Sequence, residues 1–167
     1  MTVIYENSFD WNEWFVIISF VILHLLFWKI PKIFTPVKVA AFYLYGVSII
    51  TFFDHTISVN PWDFYDVNES SNYQFLDFLS NVMMGPISYL FIHLYVKLGI
   101  KRYMNLVYLL IWSSFSLLVE WFAMRIGLYH FNKGYSMYWS FPIYFSIQTV
   151  LIIYYQLLSR KNPRPDY

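Results

Sequence analysis

From Gly134 to Ser159 the chain carries no aspartate, glutamate, lysine or arginine. A run of that length and apolarity restricts the possible folds more than any other feature. In hydrocarbon every backbone N–H and C=O must be satisfied inside the protein, which leaves helices and closed barrels. Crossing a core about 30 Å thick takes roughly 20 mostly apolar residues of helix. Five stretches meet that requirement, near residues 11–30, 37–55, 75–97, 103–123 and 137–158. The expected fold is therefore all-α, an integral membrane bundle of five transmembrane helices. It forms one domain over residues 1–158, followed by a basic tail at 159–167.

Composition agrees. Charged residues make up 13% of the 167 positions, against about 25% in soluble domains. Aromatics reach 24%, as suits rings placed at headgroup level. A net charge of +1 argues against a nucleic-acid partner. With no cysteine, disulfides, thiol nucleophiles and cysteine-ligated metals are excluded. The acidic opening MTVIYENSFDWNEWF lacks the basic region and cleavage site of a secretory signal.

Direction follows from the basic residues. Lys29, Lys32 and Lys38 fall in the first connection, Lys97, Lys101 and Arg102 in the third, and Arg160, Lys161 and Arg164 after the last span. Only Arg125 and Lys133 remain for the other side. By the positive-inside rule the nine face the cytoplasm, so the N-terminus is expected outside and the C-terminus inside. The acids segregate the opposite way. Glu6, Asp10, Glu13, Asp54, Asp63, Asp66, Glu69, Asp77 and Glu120 all lie at the outer side, and only Asp166 does not.

Several local signals refine this. Pro36 suits the first turn of span two. Ser71 with Gln74 reads as a capping box before span three, and Gly85-Pro86 predicts a kink within it. Asn68-Glu69-Ser70 matches a glycosylation sequon, a pattern short enough to arise by chance. His24 and His93 each read as hydrogen-bonding a neighbouring helix.

Four spans carry polar rows at helical spacing. They are Ser48, Thr51 and His55 on span two; Asp77, Asn81, Gly85 and Ser88 on span three; Ser113, Ser116 and Glu120 on span four; and Ser140, Tyr144, Gln148 and, a further seven on, Tyr155 on span five. Small and hydroxylated residues favour helix contacts in lipid. Ionisable groups at membrane depth tend instead to be functional. The rows therefore have two readings, helix adhesion or the wall of an outward-opening polar cavity.

The candidate ligand-binding residues are Asp54, His55, Asp77, Asn81, Glu120 and Arg125. Asp54, His55, Asp77, Glu120 and His130 are the side chains a metal would need, but none has recognisable ligand spacing. Neither a metal nor another cofactor is expected. Glu120 and Asp54 are the acid and base if the protein is an enzyme.

From about residue 63 to 158 the chain resembles a family of small multi-pass membrane proteins of spore-forming Gram-positive bacteria that has no assigned activity. The resemblance lies in Phe75, Phe78 and Pro86, in VEW at 119–121, in the turn GLYHF and in YSMYWS at 135–140. Related proteins have a basic, proline-containing loop before span three where this chain has acidic PWDFYDVNESS. The resemblance implies a bacterial plasma membrane location. A fainter similarity to carotenoid-modifying membrane proteins rests on Glu120, Gly127, Tyr129 and Pro142.

The leading expectation is a non-enzymatic accessory or small-ligand-binding protein with an outward-facing acidic site. Besides the lipid bilayer, its expected partners are copies of itself or a larger membrane complex. The alternatives are an enzyme acting on a lipid or isoprenoid, and a proton- or cation-coupled transporter component.

Overall fold

The computed structural model describes residues 11–67 and 75–161. Glu6, Asp10, Glu69, Arg164, Asp166, the Ser71–Gln74 box and the sequon lie outside those residues.

Helix α1 spans Trp11–Lys29 and α2 Pro36–Asp54. The third span is divided into α3, Phe75–Val82, and α4, Met84–Lys97. Helix α5 spans Met104–Arg125 and α6 Met137–Lys161. Counting α3 with α4, five helical segments among the described residues are long and apolar enough to cross a membrane. The kink expected at Gly85-Pro86 takes the form of a break three residues earlier, at Met83, because Pro86 has no N–H to donate back to the preceding turn. Helix α6 continues to Lys161 rather than ending at Leu158, since nothing opposes a helix before Asn162-Pro163.

Elements the sequence did not suggest are strands β1, Tyr65–Val67, and β2, Tyr129–Phe131. They pair antiparallel, with Tyr65 opposite Phe131, Asp66 opposite His130 and Val67 opposite Tyr129. Strands this short have no visible period, and their partner lies over 60 positions away. The ribbon ties the α2–α3 connection to the α5–α6 connection at one end of the bundle. The basic α1–α2 and α4–α5 connections lie at the other.

Two contacts organise the helices. Helices α2 and α4 touch most closely, because Gly46 lies against the Met84 carbonyl and Gly85 against the Tyr43 ring. Small residues permit such close approach in lipid. Helices α5 and α6 form the second pair, joined by polar side chains. Ser113 Oγ donates to Gln148 Oε1 at 2.9 Å, and Gln148 Nε2 donates to Ser116 Oγ at 3.2 Å.

The main core fills the basic half and is largely aromatic, with Phe34, Phe42, Tyr89, Phe91, Tyr95 and Tyr108 buried together. A smaller cluster of Val16, Ala123 and Leu128 sits beneath the ribbon. The outer surface is apolar, as a lipid-facing surface must be. Trp11, Tyr138 and Trp139 project at the ribbon end and Trp28 and Tyr103 at the basic end, each more than 60% exposed. Such rings at two levels form the aromatic belts of a membrane protein.

Candidate functional site

The site begins with how α5 ends. Ile126 caps the helix, and Gly127 follows at φ 80°, a left-handed conformation that glycine adopts without steric cost. Gly127 N–H then reaches Met124 O, and Leu128 N–H reaches Ala123 O at 2.9 Å. This is the paired closure of a Schellman motif, and it buries Leu128 against Ala123. The chain reverses and enters β2 with Tyr129 directed back into the bundle. From the other connection, Phe64 N–H bonds to Ile57 O and Asn132 N–H to Phe64 O, which holds β1 and Tyr65 against β2.

Tyr129 is the meeting point. Its hydroxyl lies deep among protein atoms and within electrostatic reach of three carboxylates, Asp54, Glu120 and Asp77. Burial first, then those carboxylates in that order, push its phenol above the ordinary value. The acids come from the end of α2, the C-terminal turns of α5 and the first turn of α3, so three spans act on one ring.

Each acid has its own neighbours. Asp54, half-buried, accepts a 2.9 Å hydrogen bond from the Tyr65 hydroxyl. Burial, and next the Asp54 charge, push the Tyr65 phenol upward. Asn81 and Asp77 also lie near Asp54. Glu120 is 6% exposed and accepts a 2.6 Å hydrogen bond from Ser140 Oγ on its Oε1. Ser140 in turn lies 3.0 Å from the Tyr135 hydroxyl. Tyr144 approaches Glu120 as well, yet Oε2 is buried without a hydrogen bond among the described residues. Asn81 is 2% exposed, and neither its amide nitrogen nor its oxygen has a hydrogen-bond partner there.

Among the six candidate residues, Asp54, Asp77 and Asn81 lie near one another, while Glu120 sits with Ser140 and Tyr144 and shares with the other acids only their action on Tyr129. His55 borders them: it acts on Asp54 electrostatically, but its Nδ1 lies 2.9 Å from Thr51 O on its own helix and the residue is exposed. Arg125 is not part of the cluster. Its guanidinium stacks over the Trp121 ring, 5.2 Å from the centroid, on an exposed face. Five residues along a helix turn it well away from Glu120. His130 sits on β2 opposite Asp66. Among the described residues no three His, Asp or Glu side chains are grouped to hold a metal ion.

The polar rows divide between the two readings. Midway along α5, Ser113 and Ser116 are used in adhesion to Gln148. Among the described residues, the acids of these rows, Asp54, Asp77 and Glu120, lie at the ribbon end. His24 behaves as expected, with Nε2 3.0 Å from Tyr43 Oη on α2. His93 is 4% exposed, and its Nδ1 is buried with no hydrogen bond among the described residues.

Sequence reasoning passed over Tyr65 and Tyr135, together with Asn12 and Glu13, both nearly inaccessible at the start of α1. One signal was readable. The α5 row Ser113, Glu120 and the α6 row Ser140, Gln148 pair in opposite directions, as antiparallel neighbours must. Nothing local marks Tyr65.

Fold and site together define a multi-pass α-helical membrane protein with a carboxylate–tyrosine cluster under a two-stranded ribbon. Compared with models of known protein families, with functionally curated proteins and with solved structures, the chain matches none.

Proposed function

We propose that the chain is a bacterial plasma-membrane protein, N-terminus outside, that holds a small polar ligand in its carboxylate–tyrosine cluster as a non-enzymatic accessory protein. The observation that carries this reading is the convergence of Asp54, Asp77 and Glu120 on Tyr129. Burying acidic and amide groups without full pairing is costly, and sites that retain such groups tend to be functional. The segregation of nine basic residues to the opposite end supports the orientation. The resemblance to membrane proteins of spore-forming bacteria supports the location.

Native mass spectrometry of the protein extracted gently from its source membranes tests the reading. The wild type should carry a bound small molecule that the double variant Asp54→Asn/Glu120→Gln lacks. Identical ligand-free spectra for the two proteins would sink it. The lipid profile of the host addresses catalysis. A profile altered by Glu120→Gln would favour an enzyme acting on a lipid over a ligand-holding protein.

A further inference from the structure

We propose that the grooves flanking α2 hold one anionic phospholipid, with its phosphate at Lys32 and an acyl chain along the α1–α2 groove. This site lies at the basic end, opposite the carboxylate–tyrosine cluster, and stands apart from the ligand-holding reading. A groove of about 530 Å³ runs from the α1–α2 connection along α2, lined by Lys32, Phe27, Phe34, Ala40, Tyr43 and Leu44 with further apolar neighbours. Ligand pockets span roughly 300–1,000 Å³, so its size suits a bound molecule. Lys32 is the one charged residue in the lining.

Packing holds the groove open. The Phe27 ring lies 5.6 Å from Tyr43 and 5.1 Å from Tyr89 between centroids, and Phe34 lies 6.1 Å from Tyr89. Tyr89 is fully buried behind them, and His24 fixes the Tyr43 hydroxyl at 3.0 Å. On the other flank of α2 a second groove, of about 560 Å³, is lined by Val37, Ala41, Tyr45 and Tyr154 and shares Ala40 and Leu44 with the first. Ala40 contributes a single methyl group to the divide. A lipid with two chains can therefore seat one on each side.

Charge selects the headgroup. The Lys32 ammonium is folded back over the groove, 3.7 Å from the Phe27 ring centroid and 4.7 Å from that of Tyr89. It donates to the Phe27 carbonyl, which leaves two of its three donors for a phosphate. Burial pulls its pKa below the ordinary lysine value, and an adjacent anion offsets that cost. Every acid among the described residues, from Glu13 to Glu120, lies at the ribbon end, so none of them competes for Lys32. Lys29, Lys97, Lys101 and Arg102 share its end of the bundle. Basic pockets between membrane helices suit anionic headgroups, whereas the amine of a zwitterionic headgroup meets only cations here.

The test is native mass spectrometry of the full chain, delipidated in non-ionic detergent and then given phosphatidylglycerol or phosphatidylcholine with the same acyl chains. One phosphatidylglycerol should stay bound per chain, about fivefold more tightly than phosphatidylcholine, the usual worth of a lysine near anionic lipid. Lys32→Gln should abolish that preference. Lys101→Gln, at the same end but outside both grooves, should leave it. Ala40→Trp fills the grooves from an exposed position and should weaken binding of both lipids. Its control is Ile111→Trp, at a position 63% exposed on α5, which should not.

Equal affinity of the wild type for the two lipids would overturn the proposal. So would a preference that survives Lys32→Gln, or one that falls equally with Lys101→Gln, since either marks diffuse attraction to the basic end. Binding that Ala40→Trp leaves undiminished, or that Ile111→Trp weakens as much, would place the lipid outside the grooves and overturn it as well.

Discussion

Gly46→Ala should destabilise this protein more than any other single added methyl at a glycine with ordinary backbone angles. A Cβ at Gly46 would stand 2.2 Å from the Met84 carbonyl oxygen, 2.7 Å from its carbon and 2.5 Å from Ser88 Oγ. Relaxed contacts of this kind sit near 3.5 Å, so α2 and α4 must separate by about 1 Å. The serine hydroxyl can turn away, but the carbonyl is backbone and cannot. Overpacking of a tight contact costs about 1–3 kcal/mol, and the upper half of that range applies here. Unfolding in mixed micelles with increasing SDS measures the loss. Gly127→Ala is the reference: its Cβ meets nothing within 4 Å, but φ is 80°, so only left-handed strain of roughly 1–2 kcal/mol is expected. Adding Ser88→Gly to Gly46→Ala should recover little. If Gly46→Ala unfolds like wild type, or Ser88→Gly rescues it fully, the carbonyl contact does not set the α2–α4 distance and the reasoning fails.

Three further outcomes follow from the same geometry. In a double-mutant cycle, Ser113→Ala and Gln148→Leu should couple by about 0.6 kcal/mol, the usual worth of an interhelical hydrogen bond in lipid; additive losses would show that the α5–α6 zipper contributes nothing. Burial first, and then the nearby carboxylates, push the Tyr65 and Tyr129 phenols above the ordinary phenol value of 10.0, so the folded protein holds these protons more tightly than the unfolded chain. Their contribution to stability is complete below pH 10 and declines as pH rises further, and Tyr65→Phe should make that decline shallower; absorbance titration showing both phenols ionising near pH 10 in the folded protein would contradict it. Arg125→Ala should leave ligand binding unchanged, because the guanidinium lies on Trp121; a loss of binding comparable to that of Glu120→Gln would place Arg125 in the site after all.

Much of the architecture was legible because the membrane imposes its own ruler. Hydrocarbon thickness fixes span length, so the boundaries read near 11–30, 37–55, 75–97 and 103–123 lie within two residues of the helices found. Pro86 has no donor, and the third span breaks at Met83. The acidic residues Asp54, Asp77 and Glu120 were identifiable because charge at membrane depth is rare. Arg125 was legible as a cation at the same end, but only the structure shows its guanidinium over the Trp121 ring.

The sequence by itself thus determined that the chain spans a membrane five times and that its acids and bases collect at opposite ends. Hydrophobic length and charge act locally, and each segment reports them without its neighbours. The tertiary structure alone decided that Asp54, Asp77 and Glu120 all act on the Tyr129 phenol. That depends on β1 pairing with β2, on the Gly127 turn aiming Tyr129 inward, and on the close α2–α4 contact. Each joins residues far apart in the chain, and three-residue strands carry no periodicity to announce them. Adhesion and site were likewise separable only in three dimensions: Ser113 and Glu120 share one helical face, yet one meets Gln148 and the other surrounds Tyr129.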